Sequence, residues 1–378
     1  MKSKMLLVTI FVLTHAGVVF AANLSPVSPD DWSLKIVTFD VGQADAALLL
    51  TPDGDAALID TGAIGDHGTA IADYLLDPDQ NGVGEIPVVK FLFTTHFHSD
   101  HAGGIPGLRD RIRVFRAYDQ GPTDYYKVGT TSTFYGRYVR YLGDPNGNCR
   151  RDSGETGYVR RKARPGTRLS LGHAGEVEIT VLSVNGNTYG TMHDLPLSPF
   201  NKYSKDPNDG SMILLVTLGD FEFLTTGDAG SDDWDGGDDD TEEALIDAGA
   251  IEGGPDIDVL KVAHHGSDTS SGRRFVESTR PEVALISSDL TGDRLPKCTA
   301  LKIMESCGAT VLVTGRTTDE AGDYHDSKHE FDDGYTPEST YDRQGMITIL
   351  VAPDGSRYTV TNQAGEFSQT WSSKDPEE

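Results

Sequence analysis

The segment FLFTTHFHSDHAGG, Phe91 to Gly104, narrows what this chain can become more than any other. The apolar run Val88–Thr94 has no polar alternation, so it reads as a strand buried on both faces. His96, His98, Asp100 and His101 follow it, all within six residues. His-x-His in an extended turn can aim two imidazoles at one ion. The Asp-His pair, opening a helix at the next turn, can serve a second ion nearby. Imidazole with carboxylate suits Zn, Mn or Fe. Gly103 and Gly104 let backbone pass close by. The fold must therefore end a buried strand at a metal-binding edge.

The remaining pattern is strand-rich. Leu34–Phe39, Ala46–Leu50 and Ala56–Ile59 read as a meander. Val177–Val184, Met212–Leu218, Phe221–Thr225, Val259–Ala263, Val283–Ser287, Thr310–Val313 and Met346–Val351 are further strands. Helical patterns cover Thr69–Leu76, Asp240–Asp247, Arg273–Ser278 and Thr299–Ser306. This interleaving predicts an α/β chain of two packed sheets with helices outside. Residues 119–207, rich in Gly, Tyr, Arg, Asn and Thr, break the rhythm. They read as a long insertion over the site, with one strand pair inside. Residues 366–378 read as a loose polar tail.

Charge matters here because it is uneven. The net charge of −27 disfavours nonspecific binding to polyanions. Residues 109–168 nevertheless carry 14 Lys and Arg against 6 Asp and Glu. Within them Arg150, Arg151, Arg160, Arg161 and Lys162 can meet phosphates or simply balance an acidic surface. At the start, Lys2 and Lys4 precede the apolar stretch Met5–Phe20 and then Ala21-Ala22. That order reads as a signal peptide over residues 1–22 and a secreted or periplasmic chain. No later run is long and apolar enough for stable membrane insertion. Of three cysteines, Cys298 and Cys307 can pair, leaving Cys149, or all three stay thiols.

HxHxDH is the signature of the metallo-β-lactamase superfamily, which this chain resembles. The resemblance extends to FDVGQADAALL (Phe39–Leu49), LIDTG (Leu58–Gly62), NDGSMILLV (Asn208–Val216), FLTTGDAG (Phe223–Gly230), DVLKVAHHGSDTS (Asp258–Ser270) and PEVALISS (Pro281–Ser288). In order, these match the branch that holds the hydrolase domain of the competence protein ComEC. The implied fold is a four-layer αββα sandwich over residues 33–365, with the site at one edge of the sheets. The implied metal ligands are His96, His98, Asp100, His101, Asp228 as the bridge between two ions, and one of His264 and His265. The catalytic group would comprise Asp100, Asp228 and His265, and Asp60 would orient ligands from behind. Most superfamily members have a further histidine where this chain has Asn208 and Asp209, as the ComEC branch does. An oxygen ligand there tilts one position toward Mn²⁺ or Mg²⁺, with Zn²⁺ still open. RLPKC also stands where that branch often has His-Pro, which puts one substrate contact in doubt.

The resemblance implies a hydrolase with two divalent metal ions and a metal-bridging hydroxide. Its expected substrate is a phosphodiester, with nucleic acid among the candidates, and Arg160, Arg161 and Lys162 as substrate contacts. The alternative is a lactone, a β-lactam or another ester on the same ions. A non-catalytic binding protein is a third reading, which the intact ligand set argues against. No obligate protein partner is evident. Separately, DPDQNG (Asp77–Gly82) has Asp77, Asp79 and Asn81 at the alternate positions of a calcium loop, but Val88 stands where a bidentate Glu is needed. A structural Ca²⁺ or a plain polar turn are the two readings.

Overall fold

The structure is a computed structural model. It describes residues 24–121, 134–142, 159–188, 208–231, 241–251, 257–290, 294–318 and 338–373. The expected signal peptide, Cys149, Arg150, Arg151 and most of the expected insertion lie outside the described residues.

The described residues form two nine-stranded sheets. The first runs, edge to edge, Ser368–Ser372, Arg357–Asn362, Ile347–Val351, Leu34–Thr38, Ala47–Leu50, Ala56–Ile59, Val88–Phe93, Arg113–Asp119 and Val159–Lys162. The second runs Thr340–Tyr341, Thr310–Val313, Val283–Ile286, Val259–Lys261, Phe221–Thr225, Ile213–Leu218, Val177–Val184 and Arg168–Leu171, with Asn187–Thr188 folding back on Val177–Val184.

Alternation explains the layering. Leu34 and Ile36, Ala47 and Leu49, Ala57 and Ile59, Phe91 and Phe93 point into the core between the sheets. Their neighbours Val37, Leu48, Leu50, Leu58 and Leu92 point the other way, onto the outer helices. Successive strand side chains face opposite sides, so both faces are buried and the runs read as continuously apolar. Outside the first sheet pack His67–Leu76, Ile105–Arg109 and Phe134–Tyr141. Outside the second pack Thr241–Asp247, Arg273–Thr279 and Cys298–Ser306. The result is the expected four-layer αββα sandwich.

Several local expectations are corrected. Arg168–Leu171 pairs antiparallel with Val177–Val184, the expected strand pair within 119–207, but that pair belongs to the second main sheet, and Val159–Lys162 adds an edge strand to the first. Residues 368–372 are not loose: they pair antiparallel with Arg357–Asn362, and Trp371 stacks on Tyr358 at 5.5 Å. Cys298 and Cys307, at opposite ends of one helix, form no disulfide with each other. The calcium reading also fails on geometry. Asp77 caps a short helix by accepting from the Asp79 amide, while buried Asn81 donates to the carbonyls of Tyr74, Leu75 and Gly84. Asn81 Oδ1 accepts from the Val83 and Gly84 amides. With those atoms committed to backbone, the turn does not fit a cation. No helix among the described residues is long and apolar enough to cross a membrane.

Candidate metal centre

The parallel part of each sheet delivers the site. Ala56–Ile59, Val88–Phe93 and Arg113–Asp119 are parallel neighbours, as are Phe221–Thr225 and Val259–Lys261. Loops leaving the carboxyl ends of parallel neighbours emerge together, the usual place for a site in such sheets. Asp60 and the His96–His101 loop leave the first sheet there, and Asp228 and His264-His265 leave the second. The Met212 amide donates to the Thr95 carbonyl at 2.9 Å, tying the two sheets beside the site. Gly103 and Gly104 are required by close approach. A Cβ on Gly103 would lie 2.3 Å from the Ile64 amide nitrogen, and one on Gly104 would lie 2.0 Å from the Thr61 carbonyl oxygen.

Two groups of donor atoms meet at Asp228. Asp100, His101, Asp228 and His265 each offer an atom within 4.8 Å of the others, and so do His96, His98 and Asp228. The Asp228 oxygens divide between them: Oδ1 lies 3.1 Å from His101 Nε2, and Oδ2 lies 3.7 Å from His96 Nε2. Asp100 Oδ2 is 3.3 Å from His265 Nε2. His96 Nε2, His101 Nε2 and Asp228 Oδ1 are fully buried yet lack an aligned hydrogen-bond partner. Burying such atoms unsatisfied costs about 1–3 kcal/mol each. Three of them gathered around Asp228 fit divalent cations, whose coordination would satisfy them together.

Neighbouring groups fix which nitrogen each histidine presents. His101 Nδ1 lies 2.8 Å from Asp60 Oδ2, leaving Nε2 for the site. Asp60, at φ 59°, is itself held by the Thr95 amide and hydroxyl. His265 Nδ1 lies 3.0 Å from the Ser287 carbonyl, so it donates there and Nε2 faces Asp100 and the site. His96 Nδ1 sits between Thr95 Oγ1 and Ser211 Oγ, and the Asp228 amide donates to the same Ser211 oxygen. His264 Nε2 instead lies 3.4 Å from Asn208 Nδ2 and its Nδ1 faces Thr269, so His265 is the one of the pair that joins the donor cluster. His264 and His265 both take left-handed backbone, φ 48° and 54°, a sharp turn that puts the two rings on different neighbours.

Electrostatics sort the histidines. Burial, reinforced by neighbouring His101, holds His96 well below the usual histidine range. Burial also works against charge on His101, but the Asp228 and Asp60 carboxylates outweigh it and hold its pKa well above that range. His101 thus keeps a proton where a cation would sit. Metal has to displace that proton, because a ligand imidazole must be neutral at the coordinating nitrogen. Metal affinity should therefore fall as pH is lowered and rise as pH is raised. Chelator-competition titrations at several pH values would show this; a pH-independent affinity would contradict it.

Of the expected substrate contacts, the structure removes Arg160. It is 3% exposed and forks onto Asp119, Nε to Oδ2 at 2.6 Å and Nη2 to Oδ1 at 2.9 Å. The Tyr138 hydroxyl lies 3.0 Å from both Asp119 Oδ2 and Thr94 Oγ1. This buried network braces the strand end that launches the histidines. Arg161 and Lys162 are exposed on the edge strand. Asn208 is near His264 as above, whereas nothing is described for the Asp209 side chain. Sequence reasoning missed Asp45, Ser211, Thr95, Ser287 and Lys261. The one available signal was Lys261, a cation closing the otherwise apolar strand Val259–Lys261.

Residues 40–288 match the family described as the metallo-beta-lactamase superfamily. Recombination protein 2 of Haemophilus influenzae is 36% identical over 256 residues, 67% of this chain and 24% of that protein. The chain thus spans about a quarter of that relative's length. Among solved structures, a diphosphatase of the PhnP family is similar at a TM-score of 0.35 and 12% identity, over 71% of this chain and 91% of that one. Zn²⁺-bound PqqB from Methylobacterium extorquens is similar at 0.40 and 12%, over 72% and 86%. MEM-A1, a subclass B3 metallo-beta-lactamase from a soil metagenome library, is similar at 0.36 and 19%, over 62% and 77%.

Proposed function

The chain belongs to the metallo-beta-lactamase superfamily, and from that premise we propose that it is a binuclear metal-dependent phosphodiesterase, acting on a phosphodiester such as nucleic acid. The observation that carries the metal part is the convergence of buried, unsatisfied donor atoms from His96, His101 and Asp228. In this reading His96, His98 and Asp228 hold one ion, and Asp100, His101, Asp228 and His265 hold the other. When bound, two such ions acidify a water and stabilise charge building on the attacked centre. Asp60 and the Ser287 carbonyl accept hydrogen bonds from Nδ1 of His101 and His265, so that each Nε2 would present its lone pair once metal displaces the proton there. Asp228 divides its two oxygens between the two groups. Asp100, half-buried with its pKa held far below the usual carboxylate range, stays ionised at any working pH; burial opposes this, and the His265 hydrogen bond and His101 overcome it.

Three features support the phosphodiester over a neutral ester. One is the sequence likeness to the ComEC branch, and another is the relative named Recombination protein 2. The third is the exposed pair Arg161 and Lys162 on an otherwise acidic chain. Mn²⁺ or Zn²⁺ are the proposed ions. Export stays part of the proposal on residues 1–22 alone.

A panel of phosphodiester, lactone and β-lactam substrates, run on protein of measured metal content, tests the reading. About two ions per chain are expected, with turnover of the phosphodiester and slowing of that reaction by added salt. Metal-free protein that stays metal-free on incubation with Mn²⁺ or Zn²⁺ would sink the metal assignment. Turnover of the lactone or β-lactam alone would move the substrate to the ester class.

A further inference from the structure

Lys261 and Asp45 form a buried ion pair that the reaction described above does not use. Lys261 is 2% exposed and Asp45 6%. Lys261 Nζ lies 2.7 Å from Asp45 Oδ1, which has no aligned hydrogen-bond partner. The attraction is therefore mainly coulombic. Asp45 sits in the loop between two strands of the first sheet, Leu34–Thr38 and Ala47–Leu50, whereas Lys261 ends a strand of the second. The pair thus crosses between the sheets.

Its surroundings connect it to the donor atoms. The Asp45 amide donates to the Asp100 carbonyl at 3.1 Å, and the Asp45 carbonyl accepts from Gly62 at 2.8 Å. Asp45 Oδ1 is also 3.7 Å from His265 Nδ1. The Ser287 carbonyl orients the ring, and the Asp45 carboxylate behind it acts through its charge, raising the basicity of the imidazole. Asp45 further falls within 4.8 Å of donor atoms on Asp60 and His101. Left without Lys261, its negative charge would be available to compete for the cations.

Stability alone gives little reason for the pair. Replacing both members of a buried ion pair by neutral groups of similar shape is commonly neutral or stabilising. Resting on the metal-centre reading, we propose that Lys261–Asp45 is a positioning pair for the second ion. It fixes the His265 end of one sheet to the loop that holds Asp100 in the other. The ammonium meanwhile keeps the Asp45 carboxylate behind His265 rather than on a metal.

The test is metal affinity measured by chelator competition, beside thermal melting of the metal-free protein. In the double variant Asp45→Asn/Lys261→Met no charge is stranded. Its metal-free melting point is expected close to wild type, while one of the two metal equivalents binds about 10–100-fold more weakly. Lys261→Arg keeps the cation and is expected to bind that equivalent more tightly than the double variant. A double variant that fails to fold, or that binds two equivalents as tightly as wild type, makes the pair structural only and overturns the proposal. Equal losses in Lys261→Arg and the double variant overturn it as well. Wild type binding no metal at all would instead overturn the function proposed above, so the two failures are distinguishable.

Discussion

Asp228→Asn should cost on the order of 10³-fold in turnover while the metal-free protein still folds. Asp228 is the one side chain shared by both donor groups, with one oxygen toward His101 and the other toward His96. Converting it to an amide withdraws the charge that holds two cations together, and metal-derived charge stabilisation is worth several kcal/mol. About 4 kcal/mol of lost transition-state stabilisation corresponds to roughly 10³ in rate. The loss should appear in elemental analysis as fewer ions per chain, and in kcat on the best substrate of the panel. A variant with two ions per chain and turnover within tenfold of wild type would remove Asp228 from the centre of the site.

The second large effect concerns stability. Asp119→Ala should destabilise the protein by about 3–5 kcal/mol, the usual result of stranding one member of a buried ion pair. Arg160 would lose both of its contacts to that carboxylate, and the Tyr138 hydroxyl would lose one partner. A core Leu→Ala change costs about 2–5 kcal/mol, so this single pair should matter as much as a large apolar side chain. Asp119→Ala/Arg160→Met should recover most of the loss. Urea denaturation of the metal-free protein, read at constant slope, decides the point. A loss under about 1 kcal/mol in the single variant would contradict the burial of the pair.

What could be read from the sequence was what is local. Phe91–Phe93 and Val283–Ile286 are apolar and buried on both faces, so their strands stood out with ends within a residue or two. His96, His98, Asp100 and His101 were legible because their spacing alone forces them together. The strands that were missed are polar or charged. Arg113–Asp119 places Arg113 and Phe115 in solvent, and Ser368–Ser372 lies at a sheet edge. Edge strands carry charge and polarity by necessity, so they resemble loops. Arg160, Arg161 and Lys162 looked like one basic patch, but alternation turns Arg160 inward and Arg161 outward. The partners of Arg160 and Lys261 are distant in sequence, and no local pattern announces which carboxylate a buried cation will meet.

The division of the donors between two sheets sets an order of events. In the unfolded chain only the short run from His96 to His101 can hold an ion, because Asp228 and His265 arrive from the other sheet. A full complement of ligands exists only after the sheets have docked, and that docking rests on contacts between residues far apart in sequence, the slow kind to form. Metal is therefore a late arrival rather than a nucleus for folding. Its contribution is mass action on a finished structure, about 2.7 kcal/mol per ion at a hundred times its dissociation constant. Chelation should accordingly lower the melting temperature without erasing the fold, unlike a small zinc domain, whose structure disappears with its ion.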